Sequence, residues 1–371
     1  MASNQAERSG AATSLRLAHY YPRALAGDGG CSYAVRGWAS VCAELGAHVA
    51  VGYDEPGDRR IEGSVDVRRL PHRGRGPLRM PHDLDQILDC DYLILHSAWV
   101  SHNLRAGNIA FRRGVPFIIT PHGAYDSNVF ARRPIEKQAW WTLLERRLVG
   151  RASVVHLFFE EERTRMRDLG YCGPVLVAPN GVTIPPIDRH RDEGRYVLWM
   201  GRFDVHNKGL DILLNAIARL REQERPPVRL HGPDWRGGKA EAIELIRRLG
   251  LKQTVTVGPP MYGESKWRTL SNASLFVFPS RWEAQGIIAL EAAGSGAALV
   301  ATDTTFVGRE FIAESAAIGA NADPDDLAAA ILRGWMSDTE EVRRKAVALV
   351  RSRYSWEAVG RRFLSELRRI S

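Results

Sequence analysis

Cysteine is scarce in this chain. Four occur in 371 residues (Cys31, Cys42, Cys90 and Cys172), with no CxxC pair and no metal-ligand spacing. That excludes a disulfide scaffold and a zinc module, and leaves isolated thiols suited to a reducing cytoplasm. Long apolar runs are also missing; none approaches the roughly 20 residues that cross a bilayer. The opening MASNQAERSGAATS has no apolar h-region, so no signal peptide is expected, and residues 1–13 read as a disordered leader. Internal repeats and low-complexity tracts are absent. So are RNP-like, KH and helix-turn-helix patterns, which removes nucleic acid as the expected partner. The excess of 51 Lys+Arg over 43 Asp+Glu, net +8 with a pI near 9.5, then points to phosphorylated small molecules or an anionic membrane.

Short apolar runs alternate with amphipathic stretches along most of the chain. SLRLAHYY, AHVAVGY, DYLILHSA, PFIIT, SVVHLFF and PVLVAP fall in the first half. RYVLWMG, VRLHG, SLFVFPS and AALVAT fall in the second. Nearly continuous apolar runs of this length predict parallel strands buried on both faces, linked by helices. The segment 181–195, GVTIPPIDRHRDEGR, carries two prolines and a charge cluster and reads as a linker. The fold class is α/β: two doubly wound, Rossmann-like domains, with ligands expected in a cleft at the carboxyl ends of the strands.

PSRWEAQGIIALEAAGSGAALVAT, residues 279–302, reads as a loop leaving a strand, a helix stopped by GSG, and the next strand. Glu283 is expected at the strand's carboxyl edge. The amides of Gly286, Ile287 and Ile288 would form a helix N-terminus able to hold phosphate. Glu291 lies one turn inside that helix. Two carboxylates beside an anion site suit sugar hydroxyls rather than the phosphate itself. A capping or solvent-facing glutamate pair fits the same residues, and spacing alone leaves both readings open.

The E-x7-E pattern after a PS-ending strand resembles the signature of the family 4 (GT4) retaining glycosyltransferases. Four more segments match in order: MGRFDVHNKGLDILLNAI (200–217) resembles the G-R-x(n)-K-G segment and APNGV (178–182) the P-N-G-V strand exit. TPHGAYD (120–126) resembles the N-domain histidine loop, and YSWEAVGRRF (354–363) the closing Y-S-W helix. The resemblance spans roughly residues 15 to 365. It implies GT-B architecture, with two Rossmann-like parallel-sheet domains facing a central cleft. The N-terminal acceptor domain would be 14–186, the nucleotide-sugar donor domain 187–353, and 354–371 a helix returning toward the first domain. One departure is Ala284-Gln285-Gly286, where relatives often carry Gly-Phe-Gly or another small-residue run. The polar Gln285 bears on the choice of donor sugar.

By that resemblance Arg202 and Lys208, on the loop after RYVLWMG, converge on the leaving diphosphate, for which a guanidinium fork and a mobile ammonium are suited. Glu291 would bind the donor ribose and Glu283 the transferred sugar. The base would stack near the VTVGPPMYG turn (255–263), where backbone groups, Gly258 among them, read its edge. His122 would hydrogen-bond a sugar hydroxyl. The glycine-rich GDGGCSYAV (27–35) is not GxGxxG. Gly29 and Gly30 fit either close backbone approach to a diphosphate or acceptor, or an ordinary flexible turn. Asp83-Leu84-Asp85 is a DxD, but it precedes a helix-like segment and reads as an acidic helix start, so neither a metal nor another cofactor is expected. UDP is the commonest donor nucleotide of the resembled family and is placed first, GDP second. Retention by front-side attack, with a diphosphate oxygen taking the acceptor's proton, is what the resemblance implies.

RRPIEKQAWWTLLERRLVGR (132–151) has six Lys/Arg against two Glu, interleaved with Trp140, Trp141, Leu144 and Leu148. It fits a helix lying on an anionic membrane or one packing its apolar side on the domain. The first implies a lipid-linked glycan acceptor in cell-surface polysaccharide or glycolipid assembly, and a cytoplasmic protein peripheral to the inner membrane face. The second leaves a soluble secondary-metabolite acceptor open. A GT-B nucleotide-sugar epimerase or a non-catalytic sugar-nucleotide-binding protein are the rival classes. The full Arg202, Lys208, Glu283, Glu291 set speaks for a transferase.

Overall fold

In a computed structural model of the chain, residues 14–27, 29–74, 80–186 and 195–370 are described. The expected leader (1–13) and most of the expected linker lie outside them. The chain forms two compact units, one of Met1–Ala178 with Gly360–Ser371, the other of Pro179–Val359.

The first unit holds β1 (Arg16–Tyr20), β2 (His48–Tyr53), β3 (Val65–Arg69), β4 (His72–Arg73), β5 (Met80–Pro81), β6 (Tyr92–His96), β7 (Phe117–Thr120), β8 (Val154–Leu157) and β9 (Val175–Val177). Seven of these make one sheet in the order β3-β2-β1-β6-β7-β8-β9, with every pairing parallel. β4 and β5 form a separate antiparallel pair. The second unit holds β10 (Val197–Met200), β11 (Val228–His231), β12 (Val255–Gly258), β13 (Leu275–Phe278), β14 (Ala298–Thr302) and β15 (Ile318–Ala320). They order as β12-β11-β10-β13-β14-β15, again all parallel. In both sheets the chain order reverses beside the first strand, so the exits of β1 and β6, and of β10 and β13, frame a switch point where such sheets take ligands.

The apolar runs explain the burial. LFVF of β13, VLWM of β10 and LILH of β6 are buried along their whole length, because helices cover both faces of a doubly wound sheet. Helix Leu210–Arg219 buries Ile212, Leu213, Ala216 and Ile217 on the second sheet, the 3.6-residue spacing of a core-facing stripe. All ten runs read as strands are strands. β3, β4, β5, β12 and β15 match none of those runs, and Val255–Gly258, which reads from sequence as part of a turn, is paired along its length with β11. Its alternate exposure (Val255 buried, Thr256 exposed) marks an edge strand, whose weak apolar signal hides it.

Candidate functional site

Three strand-exit loops of the second unit are tied into one body. After β10 the chain turns through Arg202–Lys208 to Gly209, which caps helix Leu210–Arg219 in the left-handed conformation (φ 66°). A Cβ there would lie 1.9 Å from the Pro279 carbonyl oxygen, so only glycine lets this helix start sit against the β13 exit. Arg281 then clasps the same loop. Its backbone amide donates to the Asn207 carbonyl at 2.9 Å, and its guanidinium makes a two-pronged pair with Asp211, 2.7 Å on each side. From the β14 exit, Thr304 donates to the Ser280 carbonyl at 2.7 Å.

These ties put Lys208 and Glu283 together although 75 residues separate them. The Lys208 ammonium lies 2.5 Å from Glu283 Oε1, which also accepts from the Ser280 hydroxyl at 3.0 Å; both members of the pair are largely buried. Glu291 sits inside helix Ile287–Gly294, 5% exposed, and pairs with Lys266 at 2.6 Å. Burial pushes the Glu291 carboxyl upward and Lys266 pulls it back. Gly286 caps this helix at φ 82°, and a Cβ would meet the Phe278 ring at 2.6 Å. The amides of Ile287 and Ile288 open the helix, so they have no carbonyl partner within it. The second unit therefore offers two ammonium–carboxylate pairs and, between Glu283 and Glu291 in the chain, a helix N-terminus.

Arg202 lies on the same loop as Lys208, after β10. Its guanidinium stacks on the Trp235 ring, 4.5 Å from the centroid. Gln285 is buried and engaged at both ends: Oε1 accepts from the Asn180 amide at 2.8 Å and Nε2 donates to the Asn180 carbonyl at 2.6 Å. It braces the Pro179-Asn180-Gly181 turn, where the sequence had suggested a sugar-reading role. Gly258 ends β12, with its carbonyl accepting from Lys239 at 3.2 Å and the His231 ring filling the space a Cβ would need.

In the first unit His122 follows β7 with φ 53°, left-handed for a non-glycine residue, and Ser97 (φ 75°) and Trp99 (φ 62°) after β6 share that conformation. Such strain gathers where surrounding contacts fix it for function. Asn103 Nδ2 donates to the carbonyls of His96 and Ser97, both at 3.0 Å, and Trp99 Nε1 donates to the Ala124 carbonyl at 2.9 Å, which joins the two loops. Burial, with His156 adding like charge, lowers the His122 imidazole to about 3, so it is neutral at physiological pH. Gly29 caps helix Gly30–Glu44, and both Gly29 and Gly30 have open space where a Cβ would project. Asp83 precedes the short 3₁₀ turn Leu84–Ile87 and pairs with His82, while Asp85 pairs with Arg113.

The basic stretch is helix Pro134–Trp140, a π-turn Trp141–Glu145 and helix Arg146–Arg151. Of the two readings of this stretch, packing on the domain is what its tryptophans do. Trp141 is buried, and Trp140 donates its indole N–H to the buried Glu145 at 2.8 Å. Glu145, the last residue of the π-turn, also accepts from the Tyr125 hydroxyl at 2.9 Å. The exposed apolar residues are Ile135 (85%), Leu143 (70%) and Leu144, beside exposed Arg132, Arg133, Arg146 and Arg147.

Comparison with known proteins bears on these features. Residues 29–181 match the model of the glycosyl transferase 4-like domain, and 194–336 that of glycosyl transferases group 1. The chain is 25% identical over 310 residues to GDP-mannose:cellobiosyl-diphosphopolyprenol alpha-mannosyltransferase of Xanthomonas oryzae pv. oryzae, covering 81% of this chain and 80% of that one. It is 29% identical over 237 residues to phosphatidyl-myo-inositol mannosyltransferase of Mycobacterium tuberculosis, 58% of each. This chain is a GT4-type glycosyltransferase. Its GT-B fold is shared with sucrose-phosphate synthase from Thermosynechococcus elongatus (TM-score 0.74, 21% identity, 96% of this chain and 99% of that one). Anabaena HepE, solved with UDP and glucose, also shares it (0.71, 16%, 96% and 100%).

Two polar partners in the transferase's loop cluster escaped sequence reasoning, Ser280 and Lys266. Ser280 lies three residues before Glu283, within reach of a local pattern. Lys266 is 25 residues from Glu291 in an unremarkable ESKW segment, and only the packing of its helix, Gly263–Asn272, makes it a partner.

Proposed function

We propose that this glycosyltransferase moves a mannosyl group from a nucleoside-diphosphate sugar, with retention of configuration, to a hydroxyl of a lipid-linked glycan acceptor in cell-surface glycan synthesis. The observation that carries the reading is the Lys208–Glu283–Ser280 cluster beside the start of helix Ile287–Gly294. In the free protein the ammonium and carboxylate neutralise each other. A bound donor replaces each partner in kind: its diphosphate takes Lys208, and its sugar hydroxyls take Glu283. The amides of Ile287 and Ile288, with Arg202, receive the remaining phosphate charge, Glu291 takes the ribose hydroxyls, and His122 bonds a sugar hydroxyl. Fixed donors aimed at the leaving diphosphate lower the barrier as the anomeric C–O bond breaks. The chain's own cations carry that charge, with no added metal or cofactor. The relative named for GDP-mannose supports a mannosyl donor carried on GDP, and the relatives named for diphosphopolyprenol and phosphatidyl-myo-inositol support a lipid-borne acceptor.

Calorimetric titration with GDP and UDP, in EDTA and then with magnesium, tests the donor assignment. Binding of GDP without metal, lost in Lys208→Ala and Glu291→Ala, is the expected result. Unchanged affinity in both variants, or strict metal dependence, would overturn it. Retention is read from the anomeric NMR signals of the product, and an inverted linkage would exclude front-side attack. The exposed Ile135, Leu143 and Leu144 among arginines suit an anionic bilayer at the inner face of the cytoplasmic membrane. Salt-sensitive sedimentation with phosphatidylglycerol liposomes should follow, and no binding at low salt rules that contact out. Among the described residues no helix is long and apolar enough to cross a membrane.

A further inference from the structure

Three imidazoles run in series along the carboxyl edge of the first unit's sheet. His19 comes from β1, His96 ends β6 and His122 follows β7, and these strands are neighbours in the sheet. His19 Nδ1 lies 2.9 Å from His96 Nε2, and His96 Nδ1 lies 3.0 Å from His122 Nε2. The rings stack, with centroids 5.2 Å and 5.3 Å apart. His19 and His96 are both 1% exposed. At the inner end, His19 Nε2 is buried without a hydrogen-bond partner among the described residues. His122, at the outer end, is only partly buried. A fourth buried histidine, His156, is not in the row: its Nε2 lies 2.7 Å from the Ala178 carbonyl and its Nδ1 3.1 Å from the Thr120 hydroxyl. A carbonyl only accepts, so His156 carries its proton on Nε2.

Burial holds all three members of the row neutral. A neutral imidazole has one N–H and one lone pair, so the row has two self-consistent orders. In the inward order each Nε2–H donates toward β1, and the last N–H is stranded on His19 Nε2 in the core. In the outward order His19 Nδ1–H donates to His96 Nε2, His96 Nδ1–H donates to His122 Nε2, and the last N–H sits on His122 Nδ1. Both orders keep the two ring-to-ring bonds and differ only at the ends. An orphaned buried N–H is the rarer and costlier end, whereas an unused lone pair is better tolerated. The outward order wins.

We propose that His19 and His96 are positioning residues that fix His122 as its Nδ1–H tautomer, so that His122 presents a hydrogen-bond donor to a hydroxyl oxygen of the sugar being transferred. This rests on the reading of His122 as a sugar contact. It deepens that reading, because a nitrogen that already bears the proton donates a hydrogen bond and does not deprotonate the acceptor. The left-handed backbone at His122 and the Phe158 ring, set at 70° to the imidazole with centroids 5.4 Å apart, hold the imidazole in line with the row.

Long-range proton–nitrogen NMR of ¹⁵N-histidine-labelled protein, free of substrate at neutral pH, distinguishes the tautomers. Resonances are assigned by single His→Gln variants. The expected pattern is Nδ1–H at His19, His96 and His122, with Nε2–H at His156 as the internal control. Nε2–H at His122, or averaged signals there, overturns the proposal without recourse to any other variant. A second arm reads function: His96→Phe should release the tautomer of His122 and lower kcat/KM about tenfold, the worth of one hydrogen bond. His96→Asn, whose amide N–H takes the place of Nδ1–H, should recover most of both. Loss of activity in His96→Phe with the tautomer unchanged would refute the positioning role. An outward row in the free protein with full turnover in His122→Phe would instead refute the sugar contact, and leave the donor site of the second unit untouched.

Discussion

Replacing Gln285 by leucine would remove a carboxamide that holds both backbone groups of Asn180, at 2.8 Å and 2.6 Å. Leucine fills similar volume but leaves a buried N–H and C=O without that partner, a cost of about 2–6 kcal/mol at roughly 1–3 kcal/mol per group. Gln285→Leu should therefore melt several degrees lower, as calorimetry or circular dichroism would record. Its preference between GDP-mannose and UDP-glucose should not move, because the amide has no free end with which to read a sugar. A changed donor ratio at unchanged stability would return Gln285 to specificity. Lys208 is the contrasting residue: also largely buried, it is paired among the described residues with a carboxylate that a donor's hydroxyls can use in its place.

At the scale of elements, helix Leu210–Arg219 and the PSRWE loop act as one piece, joined at Gly209, Arg281 and Asn207. In Gly209→Ala the methyl would collide with the Pro279 carbonyl, and the residue would also hold an unfavourable positive φ. The helix start must retreat, carrying Lys208 away from Glu283. We expect at least tenfold weaker GDP binding by calorimetry, though Gly209 contacts neither charged group of the pair, and a stability loss of about 1–3 kcal/mol. Retained affinity would show that the clamp does not position Lys208. This linkage bears on what can be read without coordinates. Ten strands were legible because buried parallel strands are written as continuous apolar runs, and the loops bearing Arg202, Lys208, Glu283 and His122 follow directly from strand ends. β3 and β12 were hidden because edge strands keep exposed polar positions such as Asp66 and Thr256. The pairing of Lys266 with Glu291 and the outward-facing side of the basic helix depend on contacts between elements, which one-dimensional periodicity does not record.

The two units of the whole molecule differ most in how they hold histidine. The first buries His19, His96 and His156 and half-buries His122, all as neutral rings, lowered to about 3 at His19 and His122 and about 4 at His156. In the second, His231 is lowered by burial and raised partway back by its bond to the Pro259 carbonyl. A group whose folded pKa is depressed binds fewer protons folded than unfolded, so its stabilisation is complete above about 6.5 and is lost as pH falls toward the folded value. Each such ring removes up to about 1.4 kcal/mol per pH unit in that window. Glu162 acts the other way. Burial raises it to about 7 against the amides of Phe159 and Phe158, so the first unit gains from its protonation as pH falls from about 7 to 4.5. Burial raises Glu145 in the same direction, so two carboxyls oppose four imidazoles, and below pH ~6 the imidazoles dominate. The first unit should therefore open in mild acid before the second. Hydrogen exchange measured at about pH 7.5 and pH 5, corrected for intrinsic rates, should show protection lost in β1, β6, β7 and β8 but kept in β10, β13 and β14. Equal loss in both units would mean that some other group sets the acid limit. Protection kept throughout would mean that the histidine cluster takes up protons without opening the sheet that buries it.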